Sequence, residues 1–306
     1  RDPDRWEFHH PLIGGVVYNS LLVTRRKQLH RQVALVLEER RHEGSDEQAE
    51  VLAFHLMHGG MRAQALSYLV SAGEHALKRF ANEAAIEQLE TAAEILSTLP
   101  EAKDDTRWRL AAALGDAYRA MGRHQDSMAA LRAGLALTQT GVLGAVPRAG
   151  LYRRLGETSR KQGGYVDALR YYNAAMVILK DVETQAGWVE LARTQLGIAW
   201  VHFHQGALAK ALEAVKVCLE AAEAADAIAE LAAAENLLGG IHYRQSKWEA
   251  AERHTRRAMV LREQMGYSWG VAGTLSNLGI LAVLEGDWHK ARSFFERSLA
   301  LRDEMD

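Results

Sequence analysis

Five stretches of this chain repeat one layout at nearly constant spacing. Aligned on a small residue, Gly115, Gly156, Ala199, Gly239 and Gly279, they lie 41, 43, 40 and 40 residues apart. Leu precedes four of the five, as Leu114, Leu155, Leu238 and Leu278. Seven residues past the anchor stands a turn residue: Gly122, Gly163, Gly206, Ser246 or Gly286. Two further on, three units carry an aromatic, Tyr165, Trp248 or Trp288. Position twelve is small (Ser127, Ala168, Ala211, Ala251, Ala291), and position nineteen is small again (Gly134, Ala175, Cys218, Ala258, Ser298). Between them, position sixteen holds Leu131, Tyr172, Val215, Thr255 and Phe295. Self-similarity at such a period marks a stacked array rather than a single globular core.

The spacing has a physical reading. Small residues on two helices let their axes approach to about 8–10 Å. A glycine after the first helix ends it in a left-handed conformation. The aromatic then opens a second helix and plugs the gap above the turn. A large residue at sixteen beside a small one at nineteen sets a knob next to a hole on one helical face. Each helix–turn–helix leaves an apolar face that only its neighbour can cover.

Composition agrees with helices. Ala, Leu, Glu and Arg dominate and only 4 Pro occur among 306 residues. The balance of 37 basic and 39 acidic side chains gives no global attraction to nucleic acid or to an anionic membrane. No run reaches the roughly 18 apolar residues of a membrane span, and no signal peptide opens the chain. A cytoplasmic setting is expected, without nucleic-acid or membrane partners. The single Cys218, in "AVKVCLEAA", excludes an internal disulfide and reads as a small buried hydrophobe. The opening "RDPDRW" lacks an initiator Met, which reads as a piece of a longer protein.

The repeated residues resemble the tetratricopeptide repeat. The period near 40 and "SNLG…EGDW…A…F…SLALRDEM" are similar to its longer-helix form, over roughly residues 60–306. The implied fold is all-α, a right-handed superhelix or α-solenoid of about six helix pairs: 62–98, 105–138, 146–180, 187–224, 227–264 and 268–304. The pair 62–98 is degenerate but keeps the Ala85, Leu89, Ala92 spacing, and Pro100 ends it. The third regular unit departs from the pattern. In "LGIAWVHFHQG" Leu-Gly comes two residues early, with Ala199 at the anchor, so a shifted or bulged helix is expected there. "TQTGVLGAVPRAG" (138–150) is the loosest connection.

The amino-terminal part reads differently. Residues 1–44 run from a short β-like stretch, "RWEFHH", through Pro11 into an apolar helix. A second helix follows, capped by Thr24, with Leu29, Val33 and Leu37 as its buried stripe and Arg25, Arg26, Lys27 and Arg31 on the wet side. With a junction helix over 45–61, "FHHPLI…VVYNSLL…RRKQLHRQVALVLEE" is similar to the end of the winged-helix or helical module that follows the ATPase of STAND-type signalling NTPases. That family includes LuxR-type regulators and ATPases attached to adenylate cyclases or kinases. The resemblance implies an arm of a larger ATP-dependent regulator. Its catalytic parts do not carry over: no G-x-x-x-x-G-K-[ST] occurs, and "GALAKALE" (206–213) fails the spacing.

Catalytic and metal readings find little. His55 and His58 have helical metal-pair spacing but no third ligand nearby in sequence; HExxH and CxxC are absent. Glu220, Glu223 and Asp226 read as a solvated face, and no G-x-S-x-G accompanies the serines. Neither cofactor nor metal is expected, and no enzyme activity of the chain itself.

In a solenoid of the resembled type the first helices line the concave side, at positions −3, +1, +4 and +5 from the anchor. That places Asp116, Arg119, Arg153, Glu157, Arg160 and Lys161 along the first regular units. Trp200, Phe203, His204, Asn236, Tyr243 and Arg244 follow, then Ser276, Ile280, Val283 and Leu284. Asn277 resembles an asparagine that binds peptide backbone in some family members. The groove runs from basic to aromatic to aliphatic, which suits an extended protein or peptide segment with acidic and apolar anchors. The plainer alternative is that Trp200 and Phe203 fill a tightened superhelix while the arginines are merely solvated. Two further readings stay open. One is a small-molecule effector site, which a deep closed pocket near Trp200, Phe203 and Tyr243 would favour. The other is self-association through the last helix, where Leu299 lacks a cover.

Overall fold

The structure, a computed structural model, describes residues 11–40, 47–99, 103–136 and 144–305. The expected β-like stretch with His9 and His10 lies outside the described residues, as do Pro100 and residues 138–143 of the loose connection. Among the described residues every regular element is an α-helix, fifteen in all. Residues 1–137 and 138–306 form two compact units.

The first unit holds α1 (Pro11–Ser20), α2 (Val23–Glu39), α3 (Glu47–His58), α4 (Arg62–Lys78), α5 (Asn82–Ser97), α6 (Asp104–Ala120) and α7 (His124–Ala136). Helices α4/α5 and α6/α7 pair, and α3 packs on both α2 and α4. Two expectations fail on α2. It begins at Val23 after Leu22, with no side-chain cap, so Thr24 lies inside the helix. Its buried residues are His30 and Ala34, while Val33 is 40% exposed. The face is set by where α3 lies, one residue round from the most apolar stripe.

The second unit holds α8 (Ala145–Lys161), α9 (Tyr165–Leu179), α10 (Gln185–His204), α11 (Leu208–Ala224), α12 (Ile228–Arg244), α13 (Trp248–Gln264), α14 (Ser268–Leu284) and α15 (Trp288–Asp303). They pair in sequence, α8/α9 through α14/α15, and each second helix meets the first helix of the following pair. First helix α10 also touches the first helices α8 and α12. Among the described residues the chain is thus all-α, with sequential pairs stacked within each unit as in a tetratricopeptide-type solenoid.

Each first helix ends the same way. At α8 the Gly163 N–H donates to the Arg160 carbonyl (3.0 Å) and the Gly164 N–H to the Ser159 carbonyl (2.9 Å). That pair of hydrogen bonds requires a left-handed residue, and Gly163 has φ 79°. Ser246 takes the same role at φ 57°, bonded to Tyr243.

The knob at sixteen meets the anchor glycine. A methyl group on Gly115 would come within 2.5 Å of Leu131 Cδ2, and one on Gly279 within 2.6 Å of Phe295 Cε1. Tyr172 explains the odd third unit. Its fully buried ring lies against Gly156 of its own pair and Gly197 of the next. The early Leu-Gly is therefore not a shift: α10 is one uninterrupted helix, and Gly197 makes room for an oversized knob behind it.

The aromatic plugs behave unequally. Tyr165 packs against the buried Ala168, Tyr172 and Val201, and half-buried Trp248 packs against the core around Leu275 and Leu278. Trp288 is 68% exposed, because among the described residues no helix lies beyond α15 to receive it. Leu299 is likewise open, at 59%. Cys218 is fully buried, and burial pushes its thiol up to about 12.

Candidate functional site

Helices α10, α12 and α14 present their expected inward positions around one pocket of about 290 Å³. Trp200 comes from α10, Asn236 and Tyr243 from α12, Asn277 and Ile280 from α14. Gly239 and Gly240 form part of its lining because they carry no side chain there, and Thr255 and Leu281 complete it. At the mouth, Asn277 Nδ2 donates to Asn236 Oδ1 at 3.3 Å. An asparagine amide has two N–H donors and a carbonyl with two lone pairs, so this bond leaves each amide further capacity. Tyr243 and Ile280 remain 39% and 43% exposed, so the pocket opens outward.

Phe203 does not line the pocket. It lies against Gly240, 3.5 Å from where a methyl group there would sit, with the Arg244 guanidinium 4.2 Å above its ring. Arg244 Nη1 also donates to the Phe203 carbonyl at 2.9 Å. A cation is favoured at this point, where the last carbonyls of α10 carry the negative end of its dipole.

Cationic groups gather beside the aromatics. His204 stacks on Trp200 (5.5 Å between ring centroids) and on Tyr165 (6.2 Å). Burial, then the charges of Arg160, Arg244 and Lys161, hold its imidazole below the ordinary value. Arg160, Lys161 and Arg244 thus act on one point at the ends of α8 and α12.

Arg153 and Glu157 have a different role from the one expected of groove residues. Arg153 is buried; its Nε bonds Glu190 Oε1 at 2.5 Å, and Nη1 bonds Glu157. The trio ties α8 to α10. Arg193 Nε bonds Glu230 Oε1 at 2.6 Å and ties α10 to α12 in the same manner. Both cross-links span 37 residues, a recurrence that the small-residue alignment passed over. Arg119 belongs to the first unit, where it pairs with Asp116 at 2.7 Å.

His55 and His58, whose spacing alone suited a metal pair, have His30 as a neighbour, and among the described residues no group of three or more His, Cys, Asp or Glu side chains is placed to hold an ion. No helix among them is long and apolar enough to cross a membrane.

The chain resembles known proteins by structure more than by sequence. No curated protein matches it in sequence. Solved structures similar to it include aspartyl phosphate phosphatase F from Bacillus subtilis, at 13% identity and TM-score 0.64, over 95% of this chain and 71% of that one. A Rap protein complexed with Competence and Sporulation Factor matches at 13% identity and TM-score 0.60, over 95% and 79%. NprR in complex with its cognate peptide NprX matches at 15% identity and TM-score 0.59, over 90% and 78%. These likenesses establish the fold alone. The tetratricopeptide repeat model matches residues 147–224 and 230–304, half of the chain. The chain belongs to the tetratricopeptide repeat family.

Proposed function

We propose that this chain is a protein-interaction domain that takes an extended peptide or protein segment across α10, α12 and α14. The observation that carries the reading is the open pocket with the Asn236–Asn277 bond at its mouth. Two adjacent helices there offer amide donors and acceptors to a main chain, while Trp200, Tyr243 and Ile280 offer apolar contact for a side chain. The cations around His204 suit an acidic residue of the same segment. The Rap structure, complexed with Competence and Sporulation Factor, and the NprR structure, in complex with its cognate peptide, lend support by fold. The open mouth and a volume at the floor of the about 300–1,000 Å³ usual for drug-sized ligands weigh against a small-molecule effector.

On this reading the chain is a non-catalytic sensing arm of a larger ATP-dependent cytoplasmic regulator of the STAND type. The amino-terminal resemblance supports that placement. Hydrolysis of an aspartyl-phosphate substrate by the chain alone would overturn the non-catalytic part. A displayed peptide library tests the binding. Selected sequences are expected to pair an acidic residue with an apolar one and to lose affinity on Asn277→Ala. Selection of basic sequences, or binding indifferent to Asn236, Asn277 and Tyr243 together, would overturn it. A self-association reading rests on exposed Trp288, Phe295 and Leu299 at α15; a strict monomer by light scattering across a dilution series would exclude it.

A further inference from the structure

The first unit holds a cluster of rings that the groove does not use. Three helices meet there through one hydrogen-bonded line. The Tyr18 hydroxyl on α1 lies 2.9 Å from His30 Nε2 on α2, and His30 Nδ1 lies 3.0 Å from His55 Nδ1 on α3. The His58 ring sits 5.1 Å from His30, and its Nδ1 donates to the Phe54 carbonyl at 2.8 Å. His30 is buried, while Leu12 and Val16 on α1 stand open to solvent. Tyr18 is where α1 grips α2: its ring meets His30 edge-on at 5.8 Å, under the Arg26 guanidinium at 5.2 Å.

The line depends on protonation. An Nδ1···Nδ1 contact needs one N–H and one bare nitrogen. With both rings neutral, His30 has two consistent settings. It accepts from the Tyr18 hydroxyl and donates to His55, or it donates to Tyr18 and accepts from His55. One added proton keeps a donor facing an acceptor but places a cation in a buried site. A second sets N–H against N–H across 3.0 Å. The charged groups facing His30 do not relieve this. From α3 they are His55 and His58; on its own helix Arg26 covers Tyr18 and Arg31 turns to the Gly59 carbonyl.

We propose that the Tyr18–His30–His55 line is a pH-sensitive clasp, which holds α1 on α2 at neutral pH and releases it on acidification. Burial first, then the neighbouring imidazoles, lower His30 and His55 below 6.5. Groups lowered in the closed state favour closure above that value and oppose it as pH falls through their lowered values, since the open state then binds more protons.

The test uses the whole 306-residue chain with spin labels at Val16→Cys and Val51→Cys, both exposed, in a Cys218→Ala background. Pulsed dipolar distances are read from pH 8 to pH 5, with circular dichroism as the check on helicity. One short distance is expected at pH 8. A longer population should grow below pH 6.5, by up to about tenfold per pH unit for each proton taken up. Tyr18→Phe should release α1 already at pH 8, and His30→Gln with His55→Gln should abolish the pH response. A distance distribution unchanged from pH 8 to pH 5 would overturn the clasp. So would a response that survives in the double Gln variant, or an α1 still docked in Tyr18→Phe.

Discussion

Gly197 of α10 faces the ring of Tyr172 on α9 so closely that a methyl group there would lie 2.5 Å from Tyr172 Cζ. The ring is fully buried, with Gly156 on its other side, and has nowhere to move. Gly197→Ala should therefore overpack the joint between the second and third regular pairs, at a cost of about 1–3 kcal/mol. Urea unfolding should show this loss, and Tyr172→Leu in the same chain should recover much of it. Additive effects of the two substitutions would contradict the contact.

The Arg153–Glu190 cross-link should be expensive to break from one side. Both side chains are buried, so Glu190→Ala leaves a guanidinium with Glu157 as its remaining acid partner in the trio, at about 3 kcal/mol. Replacing both, as Arg153→Met with Glu190→Leu, should be milder because no charge is left stranded. The exposed Arg292–Glu296 pair on α15 serves as control, and its removal should leave the midpoint unmoved.

The asparagine pair should matter to binding and hardly to folding. Asn277→Ala removes one exposed bond to Asn236 and the amide groups still free for a ligand. Each lost ligand bond is worth about 0.5–1.5 kcal/mol, roughly two- to tenfold in Kd. Isothermal titration with a selected peptide checks the affinity, and a thermal melt should show the same Tm as the parent.

Cys218 should report unfolding rather than react in the native state. Burial, with a smaller push from Glu230, raises its thiol to about 12, so it stays protonated and shielded at pH 8. Alkylation by iodoacetamide should follow the opening rate of the fold and accelerate sharply through the urea transition. Rapid native labelling would mean that the α10/α11 pair opens locally.

Much of the architecture was legible because it rests on residue size at fixed intervals. Gly115 with Leu131 and Gly279 with Phe295 are local facts of a helix–turn–helix, and spacing reveals them. The aromatics and amides of the pocket were legible for the same reason, since Trp200, Asn236, Tyr243, Asn277 and Ile280 lie at or beside inward positions. Arg153 was not, because a charged residue at an inward position reads alike whether it meets solvent or a carboxylate from the next pair. The stripe of α2 was misjudged too: its buried edge follows α3 rather than its own apolarity.

By itself the sequence determined the helix pairs, their turns and their period, because glycine, small and large residues act through sterics at short range. Only the tertiary structure decided which charges are cross-links, why Gly197 stands two residues early, and that His30 meets Tyr18 and His55. Those contacts join side chains from different helices, and their energies depend on burial and on the identity of a partner that no spacing along one chain specifies.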